Sequence, residues 1–332
     1  MQKTTITPTV NFNIDGKQHG YLKLPYSHDD SAWGCIMIPV TVIKNGEGPT
    51  ALLTGGNHGD EYEGITGLLK LANRLEAEEI KGRVIIVPAM NYPAVLNGSR
   101  TSPIDLGNMN RSFPGSPTGS MTERIADYFQ RYLVPMCDFA LDIHSGGKTL
   151  DLLPFSAAHR LDDKHQENAC IEGAKLFGAP YTVILHELDA ASLYDTAVEA
   201  QGKVFVTTEL SGGGTSTPDT IALAEQGIDN FLIFAGITSG SYQLPSEPTR
   251  ILDIPDADCY LLSEHKGLLE LCINLGDSVT KGDVVARVHS LERTGQSPIE
   301  YLAKRNGILA ARRHPALIDI GDTFAVFGEE IS

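Results

Sequence analysis

From the start of the chain to about residue 237, short runs rich in Val, Ile and Leu alternate with stretches whose apolar residues recur every three or four positions. That rhythm constrains the fold more than any other feature. Strands that are apolar on both sides must be covered on both faces, and the segments between them are the helices that cover them. Strands are expected over residues 36–43, 51–54, 84–87, 139–143, 182–185 and 204–208. The clearest helix is predicted over 62–79, where Ile65, Leu68, Leu69, Ala72 and Leu75 form one apolar stripe with charges between them. Further helices are expected over 122–133, 164–177 and, after Pro218, 219–234. The reading is an α/β layer fold, a sheet flanked by helices.

The text changes at 238–250 (TSGSYQLPSEPTR), a Ser-, Gly- and Pro-rich stretch that reads as a linker or long loop. Beyond it, short strands are separated by the turns Gly276-Asp277, Gly282-Asp283 and Gly321-Asp322, with no helical pattern. This divides the chain into an α/β unit over 1–245 and a smaller all-β unit over 255–332. With 332 residues, 42% of them hydrophobic, the chain has enough apolar material for a large core.

Charge narrows the partners. The formal net charge is −16, from 42 acidic against 26 basic side chains, so the surface field repels phosphate backbones and anionic lipid headgroups. No nucleic acid and no membrane is expected as a partner. The first twenty residues have no apolar stretch behind a basic start, and no apolar run approaches the length of a bilayer span, so a cytoplasmic protein is expected. Five cysteines, with no Cys-x-x-Cys pair, fit reduced and structural thiols.

The stretch TGGNHGDEYEG, residues 54–64, places His58 and Glu61 three apart where a buried strand gives way to a helix. In such a turn an imidazole nitrogen and a carboxylate can face the same ion. His-x-x-Glu is a weak pattern alone, since His289 and Glu292 repeat it. Only His58, however, follows a strand of the α/β part, at the carboxyl end where open sheets place their ligands. ALDIHSGG, residues 140–147, supplies His144 at the end of another apolar strand, followed by two glycines. Two histidines and a glutamate leave one position of a zinc ion open for water, as catalysis requires. Asp142, two residues before His144, points to the same face of the strand; it either orients an imidazole or is a locally satisfied buried carboxylate.

Hydrolysis of an amide also needs proton transfer to the leaving nitrogen. Glu209 ends an expected strand in VFVTTELSGGGT and is the candidate, against the plain alternative of a strand-end carboxylate facing solvent. The loop RTSPIDLGNMNRSFP, 100–114, carries Arg100, Asn110 and Arg111. A guanidinium there can clamp a substrate carboxylate or stabilise an oxyanion, although loop arginines are more often solvated charges.

Together GGNHGDEYEG at 55–64, Asn-Tyr-Pro at 91–93, NRSFPG at 110–115, DIHSGG at 142–147 and TTELSGGG at 207–214 resemble the succinylglutamate desuccinylase and aspartoacylase family, relatives of the zinc carboxypeptidases. The resemblance spans nearly the whole chain. It implies a zinc-carboxypeptidase-like mixed sheet with a smaller C-terminal all-β, barrel-sandwich-like domain. It also implies one Zn²⁺ per chain on His58, Glu61 and His144, with Glu209 as general base and acid. Asn110 and Arg111 would hold the substrate carboxylate, and Arg100 would match the oxyanion-stabilising arginine. Within the family the phrases SRTSPID, HSGGKTLDLLPF and ERTGQSPIEYLAKRNGILAAR are most similar to those of N-α-acetyl-diaminobutyrate deacetylases of ectoine degradation. The implied partner is a small N-acyl amino acid, and family habit allows a homo-oligomer.

Two other readings stand beside this one. A carboxypeptidase would use the same residues on peptides. The C-terminal part also resembles lipoyl and biotinyl carrier folds through Gly276–Val279 and Gly282-Asp283, yet Lys304 lacks the Met-Lys-Met or Asp-Lys-Ala setting of a modified lysine. The β unit is therefore expected to be a wall or lid, with Glu300 or Tyr301 as contributors, or a scaffold.

Overall fold

The structure, a computed structural model, describes residues 3–186 and 191–331. Fifteen described strands form one twisted mixed sheet, and four more form a separate antiparallel sheet. At the centre of the large sheet lies Thr50–Gly55, fully buried along its length and flanked in parallel by Gly82–Val87 and Phe139–His144. Val204–Glu209 continues the parallel array beside Phe139–His144. A strand with neighbours on both edges and helices on both faces has no solvent side, which is why these segments carry no polar alternation.

Helices cover the sheet as their stripes require. Glu63–Arg74 buries Leu68, Leu71 and Ala72 and packs, with Pro218–Phe234 and Lys164–Phe177, over one face. Met121–Tyr128 runs into a wider π-helical turn, Phe129–Leu133, and buries Ile125, Ala126, Phe129 and Leu133 on the other. The helix expected over 62–79 stops at Arg74 and resumes as a short 3-10 turn, Ala77–Glu79, with Leu75 extended between them. The strand expected over 36–43 is Cys35–Asn45, but its hairpin partner Gly16–Pro25, the strand Phe155–His159 and the short helix Tyr194–Glu199 carried no clear pattern in the sequence.

The break expected near 238–250 is a coil, but the sheet runs on across it. Arg250–Ile254 pairs in parallel with Tyr181–Leu185 and antiparallel with Thr323–Ile331, which in turn pairs with Gly307–Arg313. Leu150–Leu152 reaches back from the first part to the far edge of Gly307–Arg313. Every regular element described after Cys259 is a strand. The second sheet, with Gly267–Leu271, Val284–His289, Ile299–Leu302 and Leu317–Ile318, closes over its own core around Val285, Leu309 and Phe324.

Candidate active site

Three adjacent parallel strands end side by side, with Gly55 beside Ile143 and His144 beside Glu209. The chain turns sharply after Gly55: Gly56 has φ +65, and a Cβ on Gly59 would collide with the Ala94 backbone. Glycine is needed at both positions, and the turn they permit brings His58 and Glu61 back over the strand ends. Met90 N–H donates to Gly55 O and Asn91 N–H to Gly56 O, each at 2.9 Å, which fixes the turn against the next loop.

His58, Glu61 and His144 converge there, exposed by only 2%, 3% and 6%, with one ligand atom from each lying within 4.8 Å of the others. Glu61 faces both imidazoles: Oε1 is 2.8 Å from His58 Nδ1, and Oε2 is 2.8 Å from His144 Nδ1. The outer nitrogens are held from behind. His144 Nε2 lies 2.7 Å from Asp142 Oδ2, and His58 Nε2 lies 3.2 Å from Asn108 Oδ1. Both of those partners are acceptors, so in the neutral, metal-binding form each ring would keep its proton on Nε2 and turn the Nδ1 lone pair toward the Glu61 carboxylate. Two lone pairs and an anion facing one another at hydrogen-bond distance need a cation or a proton between them. The donor set therefore fits a divalent metal, with Asp142 and Asn108 fixing tautomer and ring orientation.

Electrostatics follow the same geometry. Burial alone would push the Glu61 carboxyl up, but the two imidazoles outweigh it and hold the group well below the carboxylate range. Burial lowers His58, whereas His144, despite burial, is raised well above the ordinary imidazole value by Asp142 and Glu61. Asp142 takes Thr54 Oγ1 at 2.7 Å on one oxygen and Asn57 Nδ2 at 2.9 Å, with His144, on the other. Of the two readings its position allowed, it takes the orienting one.

A cavity of about 270 Å³ opens on this cluster, lined by His58, Arg100, Asn110, His144 and Glu209. Glu209 Oε2 is buried with no hydrogen-bond partner, and burial, reinforced by the charge of Glu61, pushes the carboxyl up to about 8. That is the range in which a carboxyl both accepts and returns a proton near neutrality. Arg100, half exposed, sets Nη1 at 3.3 Å from His58 Nδ1 and 3.6 Å from Glu61 Oε1. Asn110 Oδ1 accepts from the Tyr194 amide at 3.1 Å, which settles the orientation of its side chain at the wall. Arg111 is exposed and lines a neighbouring depression with Ser112, Phe113 and Glu123.

The opposite wall comes from the C-terminal strands through Ala310, Ala311 and Val326, together with Leu150, Leu152 and Phe155. Glu300 and Tyr301 lie elsewhere: Glu300 pairs with Arg287, and the Tyr301 hydroxyl serves Glu264 and His265. The second His-x-x-Glu is a surface feature, with His289 paired to Glu270 rather than Glu292. Asn108 and the apolar wall were not singled out in the sequence. The asparagine is one of several polar residues in its loop, and the alanines carry no chemistry of their own.

Comparison with known proteins agrees with this geometry. Residues 47–235 match the succinylglutamate desuccinylase/aspartoacylase catalytic domain. The chain is 63% identical over 326 residues to the N-alpha-acetyl-L-2,4-diaminobutyric acid deacetylase of Halomonas elongata, covering 98% of this chain and 95% of that protein. It superposes with a TM-score of 0.96 on the product-bound ectoine utilization protein EutE (DoeB) of Ruegeria pomeroyi, at 58% identity over 99% of this chain and all of that one. A succinylglutamate desuccinylase from a Silicibacter species matches equally well in structure, at 56% identity over the full length of both chains. Strand order, buried ligand cluster and sequence likeness over nearly the whole chain converge on one conclusion: this protein belongs to the succinylglutamate desuccinylase/aspartoacylase family and is an amide hydrolase.

Proposed function

We propose that the chain removes the acetyl group from the α-amide of N-acetyl-2,4-diaminobutyrate, releasing acetate and 2,4-diaminobutyrate, with one zinc ion held by His58, Glu61 and His144. The observation that carries the reading is the pairing, in one small cavity, of a buried three-residue donor set with an unpartnered carboxyl, Glu209. The likeness to the Halomonas deacetylase supports the substrate. Zinc in this set would supply a Lewis acid for the acyl carbonyl and lower the pKa of a water to about 7.

The protein's own groups do the rest. Glu209 takes a proton from the attacking water and delivers it to the departing amine, so the α-nitrogen leaves neutral rather than as an amide anion. Arg100 offers its guanidinium to the oxygen that becomes negative as the carbonyl turns tetrahedral. Asn110, whose Oδ1 is taken by the Tyr194 amide, offers its Nδ2 donors to the α-carboxylate and so fixes the amide over the donor set, while Arg111 faces the neighbouring depression and is not assigned to the clamp. The apolar C-terminal wall excludes water from the far side. A cavity of about 270 Å³ suits an acylated amino acid better than a peptide, which favours deacylation over carboxypeptidase activity.

Metal analysis of the purified protein, combined with acetate release from acetylated diaminobutyrate, aspartate, glutamate and ornithine, tests the proposal. One equivalent of zinc and strong preference for the diaminobutyrate derivative are expected. Preference for an acidic side chain would overturn the substrate.

A further inference from the structure

The substrate proposed above carries, besides the amide, a carboxylate and an ammonium, and the site so far accounts only for the first two. Three carboxylates line the cavity: Asp142, Glu209 and Asp195. Asp142 is 1% exposed and its oxygens already serve Thr54, Asn57 and His144, where it orients a member of the donor set. Glu209 lies beside the donor set and is engaged in proton transfer. Asp195 remains, the second residue of the short helix Tyr194–Glu199.

We infer that Asp195 receives the side-chain ammonium of the substrate and sets the preference for a short cationic side chain. Its Oδ1 accepts from the Thr196 amide at 2.6 Å, which holds the carboxylate in place. Its Oδ2 has no hydrogen-bond partner among the described residues; His159 Nε2 is 3.8 Å away. His159 is itself committed on the other side, with Nδ1 at 3.0 Å from Glu199 Oε1. Among the described residues, two acids, Asp195 and Glu199, thus share one buried imidazole, an imbalance of acidic over basic groups at this end of the cavity. Burial accordingly raises the Asp195 carboxyl above its usual range despite His159. A ligand cation corrects the imbalance.

Connectivity sets the spacing. The Tyr194 amide donates to Asn110 Oδ1, so the residue proposed to hold the α-carboxylate is pinned one peptide away from Asp195. The two anchors are therefore fixed with respect to each other, as recognition of an amino acid bearing both charges demands. Diaminobutyrate places its ammonium only about 4 Å from the α-carbon, short enough for both charges to be met within one cavity of about 270 Å³. The rest of the lining is apolar, Leu185, Phe205 and Ile254 among it, apart from the hydroxyls of Thr207 and Tyr260, so no further anionic acceptor competes.

The inference rests on the proposed deacetylase reading, and the experiment separates the two. Acetate release is measured for wild-type, Asp195→Asn and Asp195→Ala enzyme on Nα-acetyl-2,4-diaminobutyrate and on Nα-acetylnorvaline, which has a methyl group in place of the ammonium. A wild-type enzyme inactive on the first substrate defeats the deacetylase reading itself. With that activity present, wild-type should prefer the cationic substrate. Asp195→Asn should lose roughly 10²-fold in kcat/KM on it and little on norvaline. Equal losses on both substrates, or no loss on either, would overturn the role of Asp195. Calorimetric titration with the products gives a second readout independent of turnover. Diaminobutyrate should bind the Asn variant more weakly than wild-type, while norvaline binds both alike; unchanged diaminobutyrate binding would overturn the inference.

Discussion

Glu209 shows how surroundings change the chemistry of a single side chain. It is a strand-end carboxyl that would be ordinary in water, but with one oxygen buried and unpartnered beside Glu61 it is held near about 8. Glu209→Gln removes the exchangeable proton and keeps the shape, so turnover should fall on the order of 10²–10⁴-fold while zinc content stays at one equivalent; steady-state kinetics with metal analysis checks both. Arg100→Ala should lower kcat by roughly 10²–10³-fold without displacing the metal. Asp142 acts through another residue, by holding His144 Nε2. Asp142→Asn should weaken metal affinity by about 10–100-fold, measured by competition with a chelator.

The elements explain why these side chains meet. Three parallel strands finish in register, and the loops after them, rich in glycine, fold back over the ends rather than away. Leu210 N–H donates to His144 O at 3.2 Å and Gly146 N–H to Ser211 O at 2.9 Å, which locks the second and third loops together. The first loop depends on Gly59, where a side chain would strike the backbone of Ala94. Gly59→Ala is expected to cost about 1–3 kcal/mol of stability and to lower bound zinc, read by thermal unfolding and metal content. The strand ends and glycines were legible in the sequence because buried parallel strands leave a continuous apolar signal. The strand Gly16–Pro25 was not: its burial is partial and irregular, so no clean period marks it.

At the scale of the whole molecule, the two parts of the chain share one sheet. A chain ended at residue 245 would lose Arg250–Ile254, Gly307–Arg313 and Thr323–Ile331, baring the edge of Tyr181–Leu185 and one wall of the cavity. Such a truncation is expected to be insoluble or to lose its cooperative thermal transition, which expression and circular dichroism would show. Thiol accessibility reports the same packing. Cys35 and Cys272 are exposed, while burial pushes Cys137 up to about 12 and Cys170 up to about 11 and also raises Cys259. Two of the five thiols should react with a disulfide reagent in the native state, and all five after denaturation. The sequence by itself determined the chemistry on offer. His58, Glu61, His144 and Glu209 each stand at a strand end or turn, a position that local patterning sets and a reader can find. Only the tertiary structure decided what lies opposite them. The pairing of Asn110 with Tyr194, the exposure of Arg111 outside the cavity, the choice of Asp142 as an orienting group and the apolar wall from residues 310, 311 and 326 all arise from contacts between distant segments, whose geometry no local pattern encodes.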